Sequence, residues 1–176
     1  AEIGHNFIIV EPEISQGKLR RWDKNMRPIP PNISLVSEDE AINKLNEGEV
    51  DIVIAHNIKD LIKISTYIVP KILVFHNKLS TEINLGNNEV NRDDYLRKIN
   101  PLLRTVKKIF ISENKRSDWS MDGDIILPGI DVDEYGGYTG DNPFVLRVGN
   151  LLKERDLMMG FYKGEDILTG FPSITL

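Results

Sequence analysis

Three apolar runs in this chain end in the same way. VDIVIA (50–55) is followed by His56-Asn57, KILVF (71–75) by His76-Asn77, and KKIFIS (107–112) by Glu113-Asn114. Two of the chain's three histidines therefore occupy equivalent places in successive units. Imidazole changes charge near neutral pH and can take up or hand on a proton, so a repeated histidine at a strand end is a candidate for ligand-facing acid–base or positioning work. The alternative is a polar filler at the rim of a sheet. Asn57, Asn77 and Asn114 are read first as helix N-caps, a role that their side-chain oxygens suit.

A second group of chemistry-bearing residues lies in EPEISQGKLRRWDKNMRP (11–28). Gly17 allows a tight turn where a helix would start, leaving free N–H groups and the positive end of the dipole pointing outward toward an anion. The helix expected after it carries Lys18, Arg20, Arg21, Lys24 and Arg27 against Asp23, the densest basic cluster of the chain. Such a face steers a phosphorylated ligand or, with Trp22, rests on an anionic membrane surface; a solvated basic face over a buried Trp22 is the competing reading. No metal site is expected. Asp122-Gly123-Asp124 has the look of a metal-binding Asp-x-Asp but stands just before a strand, where Asp-Gly makes a turn. Asp131, Asp133 and Gly136 match part of a calcium loop that fails at Tyr135 and Asn142.

These residues need a scaffold, and the apolar pattern supplies one. NFIIVE (6–11), ISLVS (33–37), VDIVIA (50–55), KILVF (71–75), KKIFIS (107–112) and DIILPG (124–129) read as six strands, each a near-continuous apolar run of the kind buried on both faces. Helices are expected between them. SEDEAINKLNEG (37–48) has Ser37 as N-cap, Glu40 completing a capping box and Gly48 as its stop. IKDLIKIST (58–66) is a second helix, and RDDYLRKINPLLRTV (92–106) a third, interrupted at Pro101. STEINLGNNEVN (80–91) reads as a loop. Alternating strands and helices imply an α/β domain with a doubly wound parallel sheet ending near residue 130, and ligands bind such sheets outside the carboxyl ends of the strands.

Composition excludes several classes. The chain has 176 residues, 40% of them apolar, with a formal net charge of −5, which describes a globular chain. With 27 acids against 22 bases, a dedicated nucleic-acid surface is not expected. There is no cysteine, which rules out disulfides, thiolate metal sites and cysteine nucleophiles and fits a reducing compartment. No run approaches the length of a membrane span. A cytoplasmic protein is expected.

DIILPGIDVDEYGGYTGDNPFVLRVGN (124–150) carries a resemblance. A strand ending Pro128-Gly129-Ile130-Asp131, a polar glycine-rich linker and a new strand ending Val148-Gly149 resemble the domain crossover of GT-B glycosyltransferases, in particular the large retaining group. The strand-end histidines and ISENKRSDW (111–119), similar to that family's Ser-Glu strand end and short helix, extend the likeness over most of residues 1–150. The resemblance implies a Rossmann-like acceptor-binding domain over 1–130, an interdomain linker over 131–143, and the start of a donor-binding domain over 144–176. It implies transfer of a sugar from a nucleotide-sugar donor to a hydroxyl of a glycan, lipid or small metabolite, with no cofactor.

Matched position by position, His76 would line the reaction centre, and His56, Asn57, Asn77 and Glu113 would lie on the acceptor side. Gly17 and Lys18 would approach the donor phosphates from the acceptor domain, and Gly149 from the donor domain. Where the family has Arg after Val-Gly this chain has Asn150, and LKERDLMMG (152–160) has no clear Lys-Gly, so Lys153 or Arg155 would stand in. Only the 33 residues 144–176 follow Pro143, against the hundred or more of a full donor domain, so a truncated and by itself inactive chain is expected. Two other readings stay open: a non-catalytic module of the same fold that binds a nucleotide sugar or small ligand, and a two-domain small-ligand receptor or response-regulator-like domain. The family's lipid-linked acceptors add peripheral contact with the inner membrane face as an expectation.

Overall fold

The computed structural model describes residues 4–12, 21–25, 27–85, 91–129, 133, 140–149 and 152–175. The chain divides into two compact units, Ala1–Val74 with Leu102–Lys107, and Phe75–Pro101 with Lys108–Leu176. The architecture is α/β, with a four-stranded, all-parallel sheet flanked by helices.

In the first unit, β1 (Phe7–Val10) pairs in parallel with β2 (Ile33–Val36), Phe7 opposite Ile33 and Val10 opposite Val36. Helix α1 (Glu38–Asn46) follows as expected: the Ser37 hydroxyl accepts the Glu40 N–H at 3.2 Å, and Gly48 leaves the helix at φ +73. Three acids in its first turn and Lys44 in its last complement the helix dipole. β3 (Val53–Ala55) leads into α2 (Ile58–Lys63), and β3 pairs in parallel with β4 (Lys71–Phe75), Val53 opposite Lys71 and Ala55 opposite Leu73. Ala55, Leu61 and Leu73, at most 2% exposed, form the centre of this unit with Val36, Leu103 and Val106. Lys63 binds both carboxylate oxygens of Glu38 at 2.7 and 2.8 Å, a surface pair that contributes at most about 1 kcal/mol.

In the second unit, α3 (Leu79–Leu85) and α4 (Arg92–Leu103, its last two residues assigned to the first unit) precede β5 (Lys107–Phe110), α5 (Glu113–Trp119) and β6 (Asp124–Ile125). β5 and β6 pair in parallel, Phe110 opposite Ile125. β7 (Val145–Arg147), α6 (Asp156–Met159), α7 (Phe161–Ile167) and β8 (Ser173–Thr175) complete it, with β7 and β8 in parallel register from Val145–Ser173 to Arg147–Thr175.

Several expectations are corrected. The six strands do not share one hydrogen-bonded sheet: β1 and β2 form a pair of their own, and the larger sheet runs β3-β4-β5-β6. Nor are all strands covered on both faces. β4 and β5 are, but β1, β2 and β3 alternate, leaving Ile8, Val10 and Ile54 exposed. Pro101 does not stop α4, because the one hydrogen bond it removes falls in the final turn. Part of the expected 80–91 loop is helical, since α3 spans Leu79–Leu85. No helix covers 21–25 and 27; the Asp23 carboxylate accepts the Asn25 N–H in a tight turn, and prolines at 28, 30 and 31 bar a helix beyond.

Asp122-Gly123 is likewise no turn. The chain reverses at Ser120, φ +53, and Gly123 then passes so close to β5 that a Cβ there would lie 2.7 Å from the Phe110 ring and 2.9 Å from the Lys108 carbonyl oxygen. Gly123→Ala is therefore expected to cost about 1–3 kcal/mol in urea unfolding. Gly129→Ala, whose added methyl meets nothing within 4 Å, should stay within about 0.5 kcal/mol of the parent. Equal midpoints for the parent and Gly123→Ala would refute this close approach.

Candidate functional site

The carboxyl end of β4 is where the second unit concentrates its polar groups. Phe75, the last residue of the strand, stacks on Phe110 with ring centroids 4.5 Å apart and meets Trp119 edge-on at 4.7 Å. All three are at most 4% exposed. A buried indole N–H needs an acceptor, and Trp119 Nε1 donates to the Asn77 carbonyl at 2.9 Å. The segment 75–77 is therefore fixed at both ends: Phe75 by packing and Asn77 by this bond. His76 lies between them, exposed.

Around it the neighbouring side chains are mostly committed. The Asn77 amide donates to Glu82 at 2.8 Å rather than capping α3. The cap comes through space: Asp118 on α5 accepts the Ser80 N–H at 3.0 Å and the Ser80 hydroxyl at 3.2 Å, while Arg92 donates to the Asp118 carbonyl at 2.8 Å. Glu113 begins α5, and its Oε1 accepts from Arg116 at 2.9 Å and Ser117 at 3.1 Å on its own helix. Ser112 holds the N-cap position of α5, so Asn114, one residue inside the helix, is not the cap. Burial raises the Tyr95 phenol above its ordinary 10.0, with the Glu82 charge adding to the effect, so this hydroxyl remains a proton donor throughout the neutral range.

His56 and Asn57 belong to the first unit. His56 follows β3 and is exposed; Asn57 is the N-cap of α2, its oxygen accepting the Asp60 N–H at 2.9 Å. Gly17 and Lys18 lie outside the described residues. Of the basic cluster beyond them, Arg21 lies 3.7 Å from the Glu11 carboxylate, and Trp22 Nε1 donates to the Arg27 carbonyl at 2.7 Å.

The segment 145–175 holds an open pocket of about 710 Å³. Gly149 lines it, and a Cβ there would come within 2.5 Å of the Leu152 side chain, which would have to move to admit one. Arg155 precedes α6 and is not among the lining residues, whereas Lys153 is. The pocket also contains Arg147, whose Nη2 donates to Glu165 and whose guanidinium carbon lies 4.9 Å from the Phe161 ring centroid. Among the described residues, no cluster of three or more metal-ligating side chains occurs, and no helix is long and apolar enough to cross a membrane.

The sequence alone does not single out Asp118, Trp119 and Arg147. Each acts through a partner that sequence spacing does not expose, 38 residues away for Asp118 and 42 for Trp119. Asp118→Ala is expected to lower stability by about 1–2 kcal/mol through loss of the α3 cap. Ser80→Ala keeps the backbone bond and should cost less, by chemical denaturation; an Asp118→Ala variant as stable as the parent would show that the cap does not hold α3.

Comparison with protein-family models gives no match, and comparisons with curated proteins and with solved structures also give none.

Proposed function

We propose that this chain is the acceptor-side lobe of a nucleotide-sugar-dependent glycosyltransferase of GT-B type, doubly wound over 1–130, with a linker over 131–143 and the opening of the donor lobe over 144–176. The observation that carries the reading is the exposed imidazole of His76 at the carboxyl end of β4, on a backbone held by the Trp119–Asn77 bond. Parallel α/β sheets present ligand-facing groups at that edge, and a reaction centre needs a side chain whose support does not move. The separate β7–β8 pair, with Gly149 and Lys153 beside its pocket, is compatible with a second nucleotide-binding lobe.

In this reading His76 orients the acceptor hydroxyl and the leaving diphosphate oxygen, and His56 contributes on the acceptor side. Asn57, Asn77 and Glu113 are assigned to the acceptor edge as groups already tied into the fold, so their part is to shape it. Gly17, Lys18, Gly149 and Arg155 are assigned to the donor phosphates, where cationic and N–H donors stabilise the charge that leaves with the nucleoside diphosphate. The acceptor is a hydroxyl of a glycan, a lipid or a small metabolite. A second reading, a non-catalytic nucleotide-sugar-binding module, is favoured by Asn150, which stands where the resemblance calls for a cation.

The test uses the complete gene product that contains this chain, supplied with a panel of nucleotide sugars and hydroxyl acceptors, with release of nucleoside diphosphate as the readout. His76→Ala is expected to lower release about 100-fold or more without changing the melting temperature. Binding of a nucleotide sugar without release would favour the module. Release unaffected by His76→Ala would remove His76 from the site.

A further inference from the structure

Glu82, on α3, is a half-buried carboxylate that pairs with no cation among the described residues. It accepts from one described side chain, the Asn77 amide, at 2.8 Å in a partly buried contact. Its charge also reaches Tyr95, whose phenol is raised by burial first and by Glu82 second. An ionised carboxylate accepts and cannot donate, so the amide must turn its nitrogen toward Glu82 and its oxygen away. A neutral partner such as glutamine would not fix this, because it can meet either end of an amide. The main chain of Asn77 is held as well, since its carbonyl accepts from the Trp119 indole at 2.9 Å.

The Asn77 oxygen is left over. It accepts from no described group, and the described side-chain atoms that lack both water and a partner are the two on Arg147, so this oxygen is open to water. It belongs to the residue next to the exposed His76, just past the carboxyl end of β4. A fixed acceptor in that place reads a ligand by hydrogen-bond polarity. A hydroxyl or N–H can donate to it, whereas an ether oxygen sets a second acceptor against the first and leaves both unpaired. Lys78, exposed and next in the chain, draws anions to the same edge, but it does not separate a hydroxyl from an ether, since both are neutral.

We infer that Glu82 is a positioning residue that fixes the polarity of the Asn77 amide, so that the edge after β4 takes a free hydroxyl or N–H of its ligand and rejects the same group once it is alkylated. Asn77 thus shapes the edge by the end of its amide that it shows. The orientation follows from the bond to Glu82 alone. That the donor is a hydroxyl of the sugar-accepting substrate rests on the function proposed above.

The orientation is read first, by NMR of this chain: the Asn77 Nδ2 protons should show contacts to the γ-protons of Glu82, and these should weaken in Glu82→Gln as the amide comes to occupy both orientations. Their absence in the parent overturns the inference, whatever the protein transfers. The selectivity is read in the complete gene product, by comparing the hydroxyl acceptor that turns over fastest with its singly O-methylated analogues. At least one analogue that keeps the reacting hydroxyl is expected to lose about tenfold or more in kcat/KM, chiefly through KM. Glu82→Gln should narrow that gap to about threefold or less at an unchanged melting temperature, a change in the ratio of two acceptors that a merely structural tie would not produce. Equal use of the acceptor and all its analogues, or a gap that Glu82→Gln leaves as it was, overturns the inference. Should no acceptor turn over, the transferase reading falls, and the polarity is then read from the Asn77 Nδ2 resonances with glycerol and with 1,2,3-trimethoxypropane as probes, each up to about 1 M. A shift with glycerol alone sustains the donor-selective edge; equal shifts, or none, overturn it.

Discussion

The Trp119 indole is 2% exposed, and its N–H cannot be left without an acceptor at that depth. The Asn77 carbonyl is that acceptor, 42 residues away in sequence. This bond joins the end of α5 to the residue after His76, and the contact of Trp119 with Phe75 joins it to the end of β4. The indole therefore fixes the backbone on either side of the imidazole with one polar and one apolar contact. Burial of a large side chain contributes about 1.5–3 kcal/mol, and an aromatic pair about 0.5–1.5 kcal/mol more, so the ring cluster outweighs any surface ion pair in the second unit.

The polar contacts nearby build outward from the same helix. Asp118, beside Trp119 in sequence, caps α3 through Ser80, and its own carbonyl is held by Arg92 of α4. One turn of α5 thus sets three segments, and His76 is exposed on the edge they support. Chemistry at such an edge is consistent with acid–base or positioning work, because the cost of ordering the support has been met in folding and not at the moment of binding. The 145–175 segment follows another logic. There an arginine takes the position on a short strand that an apolar residue would normally fill, and two of its donors find no acceptor among the described residues. Local departures of this kind from the usual pattern of burial are where function is to be sought.

Much of this fold was legible in the residues. Among the described residues, apolar runs mark seven of the eight strands, and the start and stop of α1 follow from Ser37, Glu40 and Gly48, whose interactions are local. The 173–175 strand was not marked, for Ser-Ile-Thr is too short to show a period. The local sequence of α3 reads as a loop, because its cap comes from Asp118, 38 residues on, where no window on the local sequence reaches. Asp122-Gly123 reads as a turn in the sequence, yet what requires glycine at 123 is the approach to Phe110. The division into sheets depends on which strands meet, and apolar runs do not encode that. At the candidate site, His76 and His56 stood out by repetition. The Asn57 cap was also readable, but the commitments of Asn77 and Glu113 to Glu82, Arg116 and Ser117 were not.

The most direct test of the support beneath His76 is hydrogen exchange of the two indole N–H groups, resolved by NMR, with Trp22 as the internal comparison. Trp119 should exchange only through global unfolding, its opening free energy falling with denaturant along the same line as the unfolding free energy. Exchange of Trp119 as fast as that of Trp22, whose indole bond to the Arg27 carbonyl is exposed, would mean that the Asn77 anchor opens on its own and that the edge carrying His76 is not held as described.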